Sequence, residues 1–450
     1  MTVLLWRKNE TARLRFFVIS VLFLLAFGFR FYFGLHCPPT IIAEDEIQTY
    51  LIGLKSYTTC TWPYFGTDMQ GGAGGYSGQM AGALEGLLIA VPLWIWQNPL
   101  APYLFLNLLT FMAFTLLAWY CHKRVPGVPA WFIFTWVYIA PWCTHFSTVM
   151  INESYSIVGS ILFFLGFMES VPAIKRDLIP ISFSNILMGF GFCWVLQLHM
   201  SWVMLIPFLI YSFYHQWNTG NGKTAVGFGL IGALPLLALL LPTYLVYGFS
   251  LGQNIKGYSS FLNRQNMFDF FGLLARFLSL ASFELPRFIG ANTHERVNYL
   301  LETPWLTVPG FFLWISGWFQ ACALAVLWFF PRRNLPDWKA VKWMTLFFLL
   351  IIYFFFWFSS QPSASYRYYE ALPVIMIYSF YCWEGFAAKP YWRLFGMVFL
   401  ATAVFFQAGY ALKTNSIGTS VYSQCRERME KAIEAKNYHL LAERRPYALY

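Results

Sequence analysis

The run FFVISVLFLLAFGFRFYFGLHCPPTIIAEDEIQTYLIGL, Phe16–Leu54, decides the fold. Its first part, Phe16 to Leu35, is apolar but for Ser20, Arg30 and Tyr32. It is long enough to cross a hydrocarbon core of about 30 Å. Three acids then stand together, Glu44-Asp45-Glu46. Charge at a membrane boundary is costly or idle, so it is a functional-site candidate by default. Ile47, Tyr50, Leu51 and Leu54 follow at i, i+3, i+4 and i+7, the stripe of an amphipathic helix. The stretch therefore reads as a span followed by a helix lying along the membrane surface, with acids at its head.

The rest of the chain extends that reading. Of 450 residues, 58% are hydrophobic and only 11% charged, against about 25% charged in soluble domains. Such a chain cannot wet its whole surface, so it is an integral, multi-pass membrane protein whose first span is retained rather than cleaved as a signal peptide. The net charge of +10 does not signal nucleic acid. The cations are split among short loops: Arg7/Lys8/Arg13/Arg15, Lys123/Arg124, Lys175/Arg176, Lys223, Arg332/Arg333/Lys339/Lys342 and Lys389/Arg393. That is the pattern of cytoplasmic loops. Most acids fall on the other side: Glu44, Asp45, Glu46, Asp68, Glu85, Glu153, Asp269, Glu284, Glu295, Glu302 and Glu370. Both tallies put the N-terminus in the cytoplasm.

The expected fold class is all-α and polytopic, with about eleven transmembrane helices. The spans fall near 16–35, 100–121, 128–146, 153–171, 181–199, 201–216, 224–247, 304–330, 343–359, 369–387 and 393–411. Outer loops cover about 36–99 and 248–303. The first carries the acid-headed helix, a Gly71–Gly75 link and a re-entrant or interfacial apolar segment over 78–97, broken by Glu85 and Pro92. In the second, Asp269, Gly272, Arg276, Ser279 and Ser282 form a polar stripe on an interfacial helix. Residues 1–411 make one transmembrane module. Residues 412–450 form a small outer-face helical tail with Val421, Cys425, Met429 and Ile433 on one side. Cys37 and Cys60 share the first outer loop, as a disulfide or as two free thiols.

The outer polar groups that could do chemistry are Glu44, Asp45, Glu46, Lys55, Glu153, His199, Arg264, Arg276 and Arg367. Acids and bases gathered at one membrane face suit a reaction needing a general base and a cationic clamp for an anion. The outer compartment lacks nucleotide sugars, so an activated donor arrives there on a lipid, its phosphate held by Arg or Lys. Each residue also has a plainer reading. Acids cap helix N-termini, Lys55 can snorkel, and His199 can be a satisfied loop histidine as well as a ligand. Interfacial helices take cations such as Arg264 and Arg276 routinely. Arg30 pairs with an outer acid or a headgroup and is structural.

Arg30 late in the first span, followed by Asp45-Glu46 opening a helix, resembles the signature of the GT-C class of polytopic glycosyltransferases, which includes protein O-mannosyltransferases and the lipid A aminoarabinose transferase. Gly71–Trp96 (GGAGGYSGQMAGALEGLLIAVPLWIW) is similar to that class's second juxtamembrane helix and its lead-in. Ser365-Tyr366-Arg367-Tyr368-Tyr369, with Ala371-Leu372-Pro373 after it, resembles the segment opening one of its late spans. The order is kept over most of the chain. A large soluble C-terminal domain, which some members carry, is missing, and Glu44 ahead of the pair leaves open which carboxylate is primary.

The resemblance implies a polyprenyl-phosphate monosaccharide donor and inverting transfer to a glycan, lipid or protein hydroxyl at the extracytoplasmic face. On it, Asp45 is the general base, Glu46 orients the acceptor or tunes Asp45, and Glu153 is a second carboxylate. Arg367 meets the lipid phosphate, with Lys55, Arg264, Arg276, Tyr366 and Tyr368 as further donor-binding candidates. No cofactor is demanded, although Asp45 and Glu153 could share a divalent metal. The rival reading is a transporter or flippase, but transporters bind at the midplane between paired repeats, and no repeat is visible.

Overall fold

A computed structural model describes residues 2–37, 43–71, 76–248, 262–290, 292–330, 335–359, 361–387, 389–418 and 420–442. Gly72 to Gly75, Arg332, Arg333 and the tail end 443–450 fall outside them. The chain opens with α1 (Thr2–His36) and α2 (Ala43–Thr59), then a hairpin of β1 (Phe65–Gly71) and β2 (Tyr76–Ala81). Next come α3 (Leu84–Ile95), α4 (Leu100–Arg124), α5 (Ala130–Ile139), α6 (Pro141–His145), α7 (Asn152–Ser170), α8 (Ile181–Leu196), α9 (Trp202–Asn218) and α10 (Gly222–Tyr247). Short helices α11 (Arg264–Phe268), α12 (Phe270–Leu278), α13 (Leu285–Ile289) and α14 (Thr293–Glu302) precede α15 (Pro304–Leu327), α16 (Trp338–Trp357), α17 (Leu372–Ala387), α18 (Pro390–Ile417), α19 (Val421–Glu434) and α20 (His439–Ala442).

Among the described residues, six helices are long and apolar enough to cross a membrane: Phe17–His36 of α1, α4, α10, α15, α16 and Pro390–Ser416 of α18. The protein is therefore a helical, multi-pass membrane protein. The other predicted spans fall on helices that are shorter or less apolar. The one over 128–146 breaks into α5 and α6, because Ala140 precedes Pro141 and takes an extended conformation, φ −52° and ψ 137°. The break frees the Tyr138 carbonyl, which accepts from Arg30 Nη1 at 2.9 Å, while Arg30 Nη2 donates to the Ser147 hydroxyl at 2.7 Å. Arg30 thus binds neither an acid nor a headgroup; it is wholly buried and repairs a helix break.

The segment over 153–171 is α7, the centre of the bundle. All of it but Asn152 and Leu162 is buried. Surrounding helices hide its serines and glutamates from lipid, which is why it lacks the hydropathy of a lipid-facing span. Its neighbours approach closely through glycine. A Cβ on Gly191 of α8 would lie 2.4 Å from Gly159 O of α7, and one on Gly189 would lie 1.9 Å from Gly229 O of α10. Small residues let apolar helices meet backbone to backbone. Gly189→Val is expected to force α8 and α10 apart, lowering stability by about 1–3 kcal/mol or more, read as a lower unfolding midpoint in detergent.

The first outer loop departs from the all-helical expectation. Residues flanking the glycine-rich stretch form antiparallel strands, β1 and β2, pairing Phe65 with Ala81 and Asp68 with Gln79. Gly82 turns at φ +134°, and α3 therefore starts only at Leu84 rather than near 78. Cys37 and Cys60 are both free thiols. At the other end of the chain α18 stops at Gly418, φ +61°, a left-handed position suited to glycine. Beyond it Val421, Cys425, Met429 and Ile433 are all buried, and α19 packs on α2.

Candidate functional site

Helix geometry separates the three acids. Successive residues project about 100° apart on a 3.6-residue turn, so the head of α2 points each acid somewhere different. Glu44 is exposed, Asp45 is half-buried and Glu46 is buried. Glu46 faces the bundle and accepts a hydrogen bond from Tyr103 Oη at 2.8 Å. Burial pushes its carboxyl up to about 8, against the pull of Tyr103. It is mostly protonated at pH 7, and Glu46 is not among the groups that shift Asp45.

Asp45 is pushed up to about 6, first by burial, then by the Glu44 charge, with Arg367 pulling down and Asp68 pushing up. The tuning expected from Glu46 therefore comes from Glu44 and Asp68 instead. Asp68 is carried on β1, tied to α2 by its N–H donating to Gln48 Oε1 at 3.3 Å. Beside it Glu85, at the head of α3, accepts from Thr49 Oγ1 at 3.0 Å and Thr67 N at 2.9 Å. The hairpin thus locks α2 to α3 through one buried carboxylate.

Opposite lies the head of α7 and the turn between α8 and α9. His199 Nδ1 is 3.2 Å from Glu370 Oε1, and its Nε2 is 3.8 Å from Glu153 Oε1. Burial by itself would lower the imidazole pKa, but the Glu370 carboxylate wins and lifts it to about 9. Burial would raise Glu370, yet the His199 charge and hydrogen bonds from His199, Ser156 and Ser201 hold it below the usual carboxylate range. Ser156 Oγ donates to Glu370 Oε1 at 2.7 Å, and Ser160 Oγ to Glu370 O at 2.6 Å. These bonds clip the 3₁₀ segment Ser365–Ala371 onto α7.

That segment presents Arg367. Its Nη1 donates to Pro362 O at 2.8 Å and its Nη2 to Gln361 Oε1 at 2.9 Å, and the guanidinium lies 5.1 Å over the Tyr366 ring. Tyr366 is within electrostatic reach of Arg367, Glu153 and Asp45. Asp45, Glu153, His199, Arg367 and Tyr366 therefore gather at one end of the bundle, from four separate stretches of chain.

The remaining candidates stand elsewhere. Lys55 is ten residues along α2 from Asp45, about 15 Å by helical rise. Its amine, lowered by burial, lines a small recess with Trp62 and Phe65. Arg264 is exposed at the head of α11. Arg276 is committed to the protein, 2.7 Å from Asp269 and 3.0 Å from Glu284, and donates to Ser363 O at 2.8 Å. It braces the strip leading to Arg367 rather than facing a ligand. Tyr368 is fully buried against Trp142 and Phe356, away from Tyr366. Among the described residues no three His, Cys, Asp or Glu side chains are grouped to hold a metal ion. Sequence reasoning missed Glu370, Asp68 and Glu85 as site components. Glu370 carried a signal, since it is an acid at the head of an apolar run.

Set against protein-family models, curated proteins and solved structures, the chain finds no match.

Proposed function

We propose that this chain is a glycosyltransferase that moves a monosaccharide from a polyprenyl-phosphate donor to a hydroxyl acceptor at the extracytoplasmic membrane face. One observation carries the reading: a half-buried carboxyl with a pKa of about 6, Asp45, held within reach of a guanidinium, Arg367, at one end of an apolar bundle. A base near that value is ionised at neutral pH and still takes a proton usefully. The donor's isoprenoid chain would lie along the apolar helices and its phosphate beside Arg367. Guanidinium matches phosphate in geometry and keeps its charge.

In the transfer, the acceptor oxygen attacks the anomeric carbon and its proton goes to Asp45. The bond from that carbon to the phosphate oxygen breaks, and the phosphate leaves with the electron pair, neutralised by Arg367. Attack opposite the leaving group inverts the anomeric centre. Glu153, buried at the head of α7 and kept beside His199, contacts sugar or acceptor hydroxyls.

The test is a transfer assay on the purified protein, with a panel of polyprenyl-phosphate monosaccharides and membrane extract as acceptor. Transfer per unit kcat/KM should rise with pH through about 6, because only the deprotonated Asp45 is active. Absence of transfer from every donor, or a rate flat between about pH 5 and 7, overturns the reading.

A further inference from the structure

We infer that the end of the bundle away from this site holds a second lipid site, selective for an anionic membrane phospholipid. A crevice of about 220 Å³ opens between α15, α17 and the start of α18, lined by Phe319, Leu324, Leu327, Trp383, Phe386 and Trp392. Phe319, Gln320 and Trp383 also line a narrow neighbouring recess of about 20 Å³ that reaches Phe132, Trp136 and Phe399. Its mouth faces hydrocarbon: Phe319 is 48% exposed and Val326 55%. Dry apolar space on a lipid-facing wall is filled by hydrocarbon, since water has too few polar partners there. Trp383 lies thirteen residues from Glu370, about 20 Å along α17. The crevice is therefore distinct from the site at Asp45.

The charge at the rim names the headgroup. Lys389 and Arg393 are both exposed and bracket Trp392, which lines the crevice. Arg393 Nε donates to Ala387 O at 2.6 Å, which holds the guanidinium at the end of α17, next to Phe386 of the crevice. The Lys389 amine lies 5.9 Å over the Tyr391 ring. Glu384, the nearest acid in sequence, packs beside Gly127. Two cations over an apolar slot complement a phosphate with two acyl chains below it.

The experiment reconstitutes the full chain in nanodiscs of equal phosphatidylglycerol and phosphatidylcholine, re-extracts it in mild detergent and counts retained lipid by native mass spectrometry. Wild type should retain phosphatidylglycerol in preference. Lys389→Ala with Arg393→Ala should cut that preference by about fivefold per charge removed and lower the unfolding midpoint only slightly, because both side chains are exposed and the loss is the one bond from Arg393 to Ala387 O. Ala323→Trp, which fills the slot, should displace the lipid with both cations intact. No preference in wild type, or a preference unmoved in the double variant, overturns the proposal. Neither readout involves transfer, so failure here leaves the reading of Asp45 standing, and the reverse.

Discussion

Asp45→Asn is expected to lower transfer by about 10²- to 10⁴-fold, the usual worth of a positioned base, with little change in the unfolding midpoint. The substitution keeps the shape of the side chain and removes only the proton acceptor. Its effect on folding is a balance of small terms. The negative charge at the head of α2 favours the helix by about 0.3–1 kcal/mol, while its repulsion from Glu44 and Asp68 opposes it. The residual activity should also lose its rise near pH 6. Glu46→Gln is the internal control. A carboxyl at about 8 is already neutral at pH 7, and an amide oxygen can still accept from Tyr103. Glu46→Gln should therefore retain most activity, although the two acids are adjacent in sequence. Wild-type transfer by Asp45→Asn, or equal losses in both variants, would defeat the assignment of the base.

What the sequence disclosed depended on what each helix faces. The helices α1, α4, α10, α15, α16 and α18 meet lipid, so their apolar character is continuous and length alone identifies them. The stripe on α19 was legible for the opposite reason: the helix is largely polar outside the face of Val421, Cys425, Met429 and Ile433, and that face, with Tyr422 and Ala432, is what it buries. The central place of helix α7 was not legible, because shielding by other helices, which lets it keep Glu153, Ser156, Ser160 and Glu169, is a tertiary fact. The strand pair was hidden because the pairing of Asp68 with Gln79 lies in residues flanking the glycines, without a clear strand pattern of their own. At the site, Asp45 and Arg367 each stood out locally. The Glu153–His199–Glu370 chain did not, since Glu370 lies 214 residues from Ser156, its hydrogen-bond donor. Charge counting had a similar blind spot: Arg124 enters the tally as a loop cation, yet it is wholly buried and ion-paired.

That burial makes Asp337→Ala the substitution with the largest expected cost in stability, about 3–5 kcal/mol. At the far end of α7 from Glu153, Asp337 Oδ2 is 2.5 Å from Arg124 Nη2, and its Oδ1 is 2.6 Å from Arg176 Nη2. Tyr381 Oη donates to it at 2.6 Å. Arg124 also meets Glu169 at 3.2 Å, which in turn accepts from Arg176 N at 3.1 Å and Leu178 N at 3.0 Å. Without Asp337, one carboxylate would face a guanidinium that cannot reach water. Arg176→Ala should cost far less, because that side chain is 27% exposed and its partner keeps Arg124. Burial would raise the Asp337 pKa, but Arg176, Tyr381 and Arg124 hold it below the usual range. Its folded value therefore lies under the unfolded one of about 3.9. The stabilisation is present above that pH and fades as pH falls through the folded value. Unfolding in detergent should accordingly show the variant's deficit in full at neutral pH and shrinking in acid. Because the cluster anchors the end of α7 remote from Glu153, a folded fraction of Asp337→Ala should still transfer with its acid limb near pH 6. A deficit under about 1 kcal/mol at pH 7 would mean that water reaches the pair, and that the cluster is not the buried brace its geometry describes.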